Sequence, residues 1–318
     1  MHHEVAVFDA ARVAGLIGQI DVQAVLRRMF LALAQGSAVQ PPQLRNLFPD
    51  AQGNFISYLG IHGSERLFGA KLSPYIPRPQ GALVTAWTLL LSMDDGQPRL
   101  LCDAGQLTVE RTAGATALAV DLLAPAGVSK LAVIGSGRLG LAHLRHVLPL
   151  RDWQEIRLHS LGIAELPAVQ RQALLDIDPH VGIHAQLASA VADADVIMLC
   201  TSAGVSVLDP ALLTKPALIT SICTNAQFAH EVPPASLPQM EVYCDYRATT
   251  PDSAGEMRLA REQHHWSPAS IRGDLPELVA GSAPLPAYDR HVFFRSIGLG
   301  LEDVAIAGEL YRLHRQQS

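Results

Sequence analysis

"KLAVIGSGRLGLAHLRHV", residues 130–147, reads as an apolar strand, a glycine-rich turn and a helix. Gly135, Gly137 and Gly140 carry the spacing GxGxxG. In that pattern the first glycine allows a tight turn, the second lets backbone approach a pyrophosphate, and the third lets the helix pack close to the strand. The helix start adds N–H donors and a partial positive charge. Glycines also serve ordinary turns, so the weight rests on what surrounds them. From Lys130 onward, short apolar segments alternate with helical ones: "LAVIG", "EIRLHS", "DVIMLCTS", "ALITSIC" and "EVYCDY". This predicts an α/β fold with a doubly wound parallel sheet of the Rossmann type. Gly135, Ser136, Gly137, Arg138, Leu139 and Gly140 are then the candidate dinucleotide cradle. Thr201 and Ser202 close the strand "DVIMLC" and fall at the carboxyl edge of the sheet, where open α/β proteins bind ligands.

The second strand, "EIRLHS", should end in an acid about 20 residues beyond the fingerprint if the ribose 2′-hydroxyl of NAD is to be held there. It ends in Ser160. A carboxylate at that point would repel a 2′-phosphate, whereas a serine offers a hydroxyl without the repulsion. NADP(H) becomes admissible, and the reading leans toward it. No arginine follows, since the next residues are Leu161, Gly162 and Ile163; Arg157 and His159 are the nearby cationic candidates. Use of either cofactor stays open.

Upstream, the chain is of mixed character. A helix is predicted over about 21–35 and extended runs over 67–72 and 82–92, separated by turn-rich pieces such as "PYIPRPQG" and "MDDGQP". A second helix is expected after Gln106–Leu107, with Thr108 as its cap, and its run "TAGATALAV" is made of small side chains that let a neighbour pack closely. The C-terminal "HVFFRSIGLGLEDVAIAGELYRLHR" ends in an amphipathic helix expected to pack back on the first region. Glu302 and Asp303 open that helix, where acids suit the positive helix end, so they read as capping residues.

Composition excludes several classes. Over 318 residues the net charge is −6 and the hydrophobic content 49%, an ordinary globular balance without the basic excess that nucleic-acid binding needs. The longest apolar stretch, around 82–93, is interrupted by Thr85 and Thr88 and is shorter than the ~20 residues that span a bilayer. No secretory pattern opens the chain, so a cytoplasmic location is expected. Cys102, Cys200, Cys223 and Cys244 form no CxxC pair and read as small buried hydrophobes. The pairs His143/His146 and His264/His265 lack the accompanying ligands of a zinc site and carry no metal assignment.

The sequence resembles the ornithine cyclodeaminase and mu-crystallin family nearly end to end. The likeness is carried by "DAGQLTVERTAGATALAVDLLA", by "LAVIGSGRLGLAHL" and by "FFRSIGLGLEDVAIAGELY". It implies a homodimer whose α+β substrate-binding and dimerisation domain, residues 1–116 plus 299–318, is interrupted by a Rossmann domain, residues 117–298. It also implies that basic residues of the first domain hold a substrate carboxylate next to the nicotinamide. Three positions match: Arg111 in "VERTAG", whose guanidinium suits a bidentate grip on a carboxylate; Lys71 in "FGAKLSP", on one strand face with Leu67 and Gly69; and Arg45 in the loop-like "PPQLRNLF". Ser296 and Gly298, in "FRSIGLG", correspond to the approach to the nicotinamide, where a glycine permits close contact of backbone and ring.

Two departures bear on chemistry. Where the cyclodeaminase pattern has an aspartate, this chain has Asn225, which cannot accept a proton at neutral pH. A family threonine falls on Leu83, with Thr85 the nearest hydroxyl. Hydride transfer at the α-carbon of a small amino or imino acid survives both losses, because it needs a held carboxylate, an aligned carbon and a proton route. Arg111 and Lys71 are the catalytic candidates, Lys71 also as proton donor, with Asn225 at the departing position. The expected activity is therefore that of an NAD(P)(H)-dependent ketimine or cyclic-imine reductase or amino acid dehydrogenase. A true ornithine cyclodeaminase and a non-catalytic NADP(H)-binding crystallin-like protein stand as alternatives.

Overall fold

The computed structural model describes residues 5–224 and 228–317. The chain divides into two compact units, Met1–Arg111 with Gly298–Ser318, and Thr112–Ile297. The breaks fall at 111/112 and 297/298, not at 116/117 and 298/299, so Gly298 belongs with the first unit. The first break lies within a continuous helix, Gly105–Leu123.

Among the described residues, the first unit holds an eight-stranded mixed sheet built from β1 (Ala6–Phe8), β2 (Ala38–Val39), β3 (Leu44–Leu47), β4 (Asn54–His62), β5 (Leu67–Ile76), β6 (Leu83–Val84), β7 (Trp87–Ser92) and β8 (Pro98–Asp103). The main order is β1-β8-β7-β5-β4-β2, with β3 beside β4 and β6 beside β5. The predicted run over 82–92 is thus two strands, and Arg45 lies on a strand instead of a loop. Helix Val22–Ala34 forms as predicted because Asp21 accepts from the N–H of Ala24, satisfying one of the orphan donors of its first turn. The same device, Asp9 accepting from the N–H of Arg12, starts helix Ala10–Ile17, which the sequence reading missed.

Register across the sheet decides what faces inward. Phe8, Cys102, Thr88, Lys71 and Tyr58 lie side by side on consecutive strands. All are buried. The last helix, Gly300–Gln317, covers this face, with its buried Leu301 against Gly60 and its buried Val304 against Gly69. Its start presses backbone on backbone: a side chain at Gly60 would come within 2.5 Å of the Leu301 Cα, and one at Gly300 within 2.4 Å of the Leu59 carbonyl oxygen. The neighbouring row, Val7, Leu101, Leu89, Ala70 and Leu59, lies on the opposite face.

The second unit is a parallel sheet of eight strands among the described residues: β9 (Lys130–Ile134), β10 (Glu155–His159), β11 (Val181–Ile183), β12 (Val196–Leu199), β13 (Leu218–Ser221), β14 (Glu241–Cys244), β15 (Ile271–Asp274) and β16 (Val292–Arg295). Their order, β11-β10-β9-β12-β13-β16-β14-β15, begins with the 3-2-1-4-5 succession of a dinucleotide-binding fold. Strands β12, β13, β14 and β16 are buried along their whole length. That explains their continuous apolar runs, since a parallel sheet is covered on both faces. The five strands read from sequence are present; β11, β15 and β16 are additional. The alanines of the small-residue helix, including Ala113, Ala115, Ala117 and Ala119, are buried, and all four cysteines are buried and free.

Candidate active site

In the second unit the glycine turn joins β9 to helix Arg138–Val147. Gly135 sits at φ +118, where a side chain would also meet the Cys200 carbonyl oxygen at 2.4 Å. At Gly140 a Cβ would lie 1.8 Å from the Gly135 carbonyl oxygen. These two glycines are therefore demanded by the protein's own backbone. Gly137 differs: a Cβ there meets nothing within 4 Å, and the residue caps the helix without a side-chain hydrogen bond. Open space at an uncapped helix N-terminus fits a pyrophosphate group, so the residues present fit a dinucleotide.

At the end of β10 the Ser160 hydroxyl lies 2.7 Å from that of Ser136 in the turn, and the Gly135 N–H donates to the His159 carbonyl at 2.7 Å. The two cationic candidates beside Ser160 are engaged elsewhere. Arg157 is buried and binds both Glu155 oxygens at 2.7 Å and Asp193 at 2.9 Å, while His159 Nδ1 bonds the His184 carbonyl at 2.9 Å. Arg157 reaches an acidic pair, a contact that no local pattern signals.

Thr201 is held in a way the sequence reading missed. Both its N–H and its hydroxyl donate to Glu231 Oε1, at 2.8 and 2.7 Å. The other oxygen of this buried carboxylate accepts from the Ser221 hydroxyl and from the N–H groups of Ile222 and Cys223. One side chain thus ties together the carboxyl ends of β12 and β13. Ser202 follows and is exposed. Asp245 does similar work at the end of β16, accepting from the Ser296 hydroxyl at 3.1 Å and the Ile297 N–H at 2.7 Å. Asn225 lies outside the described residues.

In the first unit the sequence candidates converge. Lys71 from β5, Arg111 from helix Gly105–Leu123, and Glu302 and Asp303 from the first turn of the last helix form one buried cluster of two cations and two acids. Lys71 Nζ lies 2.9 Å from Asp303 Oδ2 and 3.2 Å from Oδ1, and 3.4 Å from the Thr108 hydroxyl. Arg111 binds Asp303 Oδ1 through Nε at 3.2 Å and Glu302 Oε2 through Nη1 at 3.1 Å. Lys71 also stands over the Tyr58 ring, 4.2 Å from its centre. Burial, reinforced by Arg111 and opposed by Asp303, brings the Lys71 pKa down to about 8. For Arg111 burial works against the charge, but Asp303, Glu302 and Tyr58 carry its pKa above the ordinary value. Burial likewise raises the Tyr58 phenol.

Two expectations change here, and Gly298 gains a contact. The helix bearing Arg111 starts at Gly105, so Thr108 is not its cap but a helix-interior hydroxyl facing Lys71. Glu302 does serve the last helix start, accepting from the Leu299 N–H at 3.3 Å, but it and Asp303 are wholly buried on the cations. Gly298, at φ +75, has the Arg111 guanidinium against it: a Cβ would come 2.0 Å from Nη1. The sequence held the glycine and the arginine but not their contact. Arg45 is exposed, its Nε donating to Asn54 at 3.3 Å. Leu83 pairs with Ile76, and the Thr85 N–H donates to the Pro74 carbonyl. His143 is buried, bonded to Leu139 and Thr116, and among the described residues no cluster of side chains could hold a metal ion.

An α/β dinucleotide fold joined to a unit with a buried basic pair defines the class. The chain belongs to the ornithine cyclodeaminase/mu-crystallin family, whose model it matches over residues 4–317. It is 55% identical over 309 residues, 97% of either chain, to the NAD(P)H-dependent anabolic L-arginine dehydrogenase DauB of Pseudomonas aeruginosa. Its fold is similar to that of a probable ornithine cyclodeaminase from Bordetella pertussis, at 26% identity, TM-score 0.86 and 99% and 98% coverage of the two chains. It also matches an archaeal alanine dehydrogenase dimer with bound NAD, at 21% identity, TM-score 0.89 and 99% and 97% coverage; that likeness concerns the fold.

Proposed function

We propose that this chain interconverts L-arginine and its imino acid, running in the reductive direction with NAD(P)H: imino acid, reduced nicotinamide and a proton give amino acid and oxidised nicotinamide. The chain is an NAD(P)(H)-dependent oxidoreductase of amino or imino acids. The observation that carries the reading is the buried pair Lys71 and Arg111. Their burial requires partners and makes them strong anchors for an acid group. Arginine as substrate rests on the relative that shares 55% of its residues over 97% of both chains.

The bound cofactor supplies the hydride that the substrate's α-carbon accepts. The turn Gly135–Gly140, with Ser136, Arg138 and Leu139, would hold the pyrophosphate; Ser160 would meet the ribose, with NADP(H) admitted; and Thr201, Ser202 and Ser296 would complete the loops of the carboxyl edge, while Gly298 backs the Arg111 guanidinium. Arg111 grips the substrate carboxylate, with Arg45 as an outlying contact. Lys71 gives the nitrogen its proton, a role suited to a pKa of about 8. Asn225 stands where a cyclodeaminase resemblance calls for an aspartate, and an amide there cannot do acid–base work.

The first unit is the substrate and dimer domain, the second the dinucleotide domain. An exposed apolar face supports a homodimer: Val7, Leu59, Leu72, Trp87 and Leu89 are solvent-facing on the first unit's sheet, an arrangement soluble monomers seldom tolerate. Among the described residues no helix is long and apolar enough to cross a membrane. We place the enzyme in the cytoplasm, where buried free cysteines stay reduced.

The test supplies NADH or NADPH, ammonia and the oxo acid of arginine. Consumption of the reduced nicotinamide with formation of arginine, faster than with the oxo acids of alanine or ornithine, is expected. Ammonia release from ornithine without net change in nicotinamide, or no turnover of the arginine pair, overturns the reading.

A further inference from the structure

We propose that Asp303 is a positioning residue for this reaction: one carboxylate holds the Lys71 ammonium as the proton source and turns the Arg111 guanidinium toward a substrate acid. The proposal rests on the roles given to Lys71 and Arg111 above. An acid in a first helical turn gains its dipole benefit while exposed, so a capping role does not account for full burial of Asp303. Taking a carboxylate out of water costs several kcal/mol, which is recovered only through close opposite charges. Asp303 has two, from chain segments 232 and 192 residues away. Its Oδ1 accepts from both Lys71 and Arg111 at 3.2 Å, while Oδ2 lies 2.9 Å from Lys71. Glu302 divides the work, serving Arg111 and the Leu299 N–H.

The groups facing Lys71 come from every packed element. They are Tyr58 from β4, the flanking Thr88 and Cys102 from β7 and β8, Thr108 and Arg111 from helix Gly105–Leu123, and Glu302 and Asp303 from the last helix. Burial and Arg111 favour the neutral amine, and Asp303, ahead of Glu302, favours the ammonium. Removing the Asp303 charge therefore makes the lysine lose its proton at lower pH. Imine reduction uses the charged lysine, so its rate falls as pH rises through the lysine pKa, and the fall must begin earlier without Asp303.

The experiment compares wild type with Asp303→Asn, Asp303→Glu and Lys71→Met, recording kcat/KM for imine reduction against pH together with thermal melting. In folded Asp303→Asn, the descending limb is expected about 1 to 2 pH units lower, as for loss of an adjacent opposite charge, with KM for the acid substrate raised about tenfold. A limb and KM at their wild-type values overturn the proposal. Lys71→Met separates the two layers. If it removes the limb while Asp303→Asn leaves it unmoved, the Asp303 assignment alone fails; if it keeps a wild-type limb, the Lys71 reading fails. Should Asp303→Asn not fold, Asp303→Glu carries the test: charge is retained and reach changes by one methylene. KM then rises several-fold with the limb near its original place, and an unchanged KM overturns the proposal.

Discussion

The two units offer negative charge different kinds of candidate site. In the second, the candidate cradle is backbone: a turn of glycines, a helix N-terminus and open space at Gly137. In the first it is side chains, two buried cations balanced by two buried acids gathered from three distant segments. A backbone cradle is sensitive to added volume where its own backbone crowds it, at Gly135 and Gly140, but carries little electrostatic tension. A charged side-chain cluster is sensitive to each partner, because removing one member of a buried pair leaves the other uncompensated at about 3–5 kcal/mol. The two sites should therefore fail in distinguishable ways.

The largest effect is expected at the backbone cradle. Gly140→Ala puts a methyl 1.8 Å from the Gly135 carbonyl oxygen. That carbonyl cannot retreat freely, because Gly135 is hydrogen-bonded to the His159 carbonyl and lies close against Cys200. Titration with NADH and NADPH should show affinity down by about a hundredfold or more, with melting lowered by overpacking of about 1–3 kcal/mol. Gly137→Ala is the contrast. Its methyl enters empty space, so melting should stay at wild type while dinucleotide affinity drops, since the second glycine of the fingerprint exists for close approach. Equal melting losses in both variants would break the distinction between glycines required by the fold and the one kept for a ligand.

Gly298→Ala probes the side-chain site. The residue lies at φ +75, a strain of about 1–2 kcal/mol for alanine, and the methyl would meet Arg111 Nη1 at 2.0 Å. Arg111 is pinned by Glu302 and Asp303, so it moves only by giving up those bonds. KM for the imino acid should rise about tenfold while dinucleotide affinity holds. A reversed pattern would assign Gly298 to the cofactor and undo the contrast between the units.

The same difference explains what the sequence disclosed. Local periodicity and glycine spacing are short-range signals, so β9, β10, β12, β13 and β14 and the turn between β9 and its helix were legible. Strands β11 (VGI) and β15 (IRGD) are not legible because a glycine interrupts each short run, and β16 (VFFR) because it merges into the run that leads to the last helix. Glu231 and Asp245 carry no local signal of their roles: each is an acid that becomes a hub only when tertiary folding brings its donors together. For Glu302 and Asp303 a cue was present, two adjacent acids in an otherwise apolar "GLGLEDVAIA". Their place on the helix offers a sufficient electrostatic reason for them, whereas the apolar surroundings are what signal burial.

The smallest effect tests the cofactor choice. Ser160 ends β10 with its hydroxyl on Ser136, and the nearest buried cation, Arg157, is already occupied by Glu155 and Asp193. On the role proposed for Ser160, phosphate selectivity rests on the absence of a repelling acid at this position. Ser160→Asp supplies the acid, which accepts from a ribose hydroxyl of NAD but opposes a 2′-phosphate. Activity with NADH should change by less than about threefold, whereas kcat/KM with NADPH should fall by about tenfold or more, on the order of 1.4 kcal/mol. A parallel fall with both cofactors would mean that the Ser136–Ser160 contact shapes the glycine turn itself, making this part of the backbone cradle as dependent on side chains as the charged cluster is.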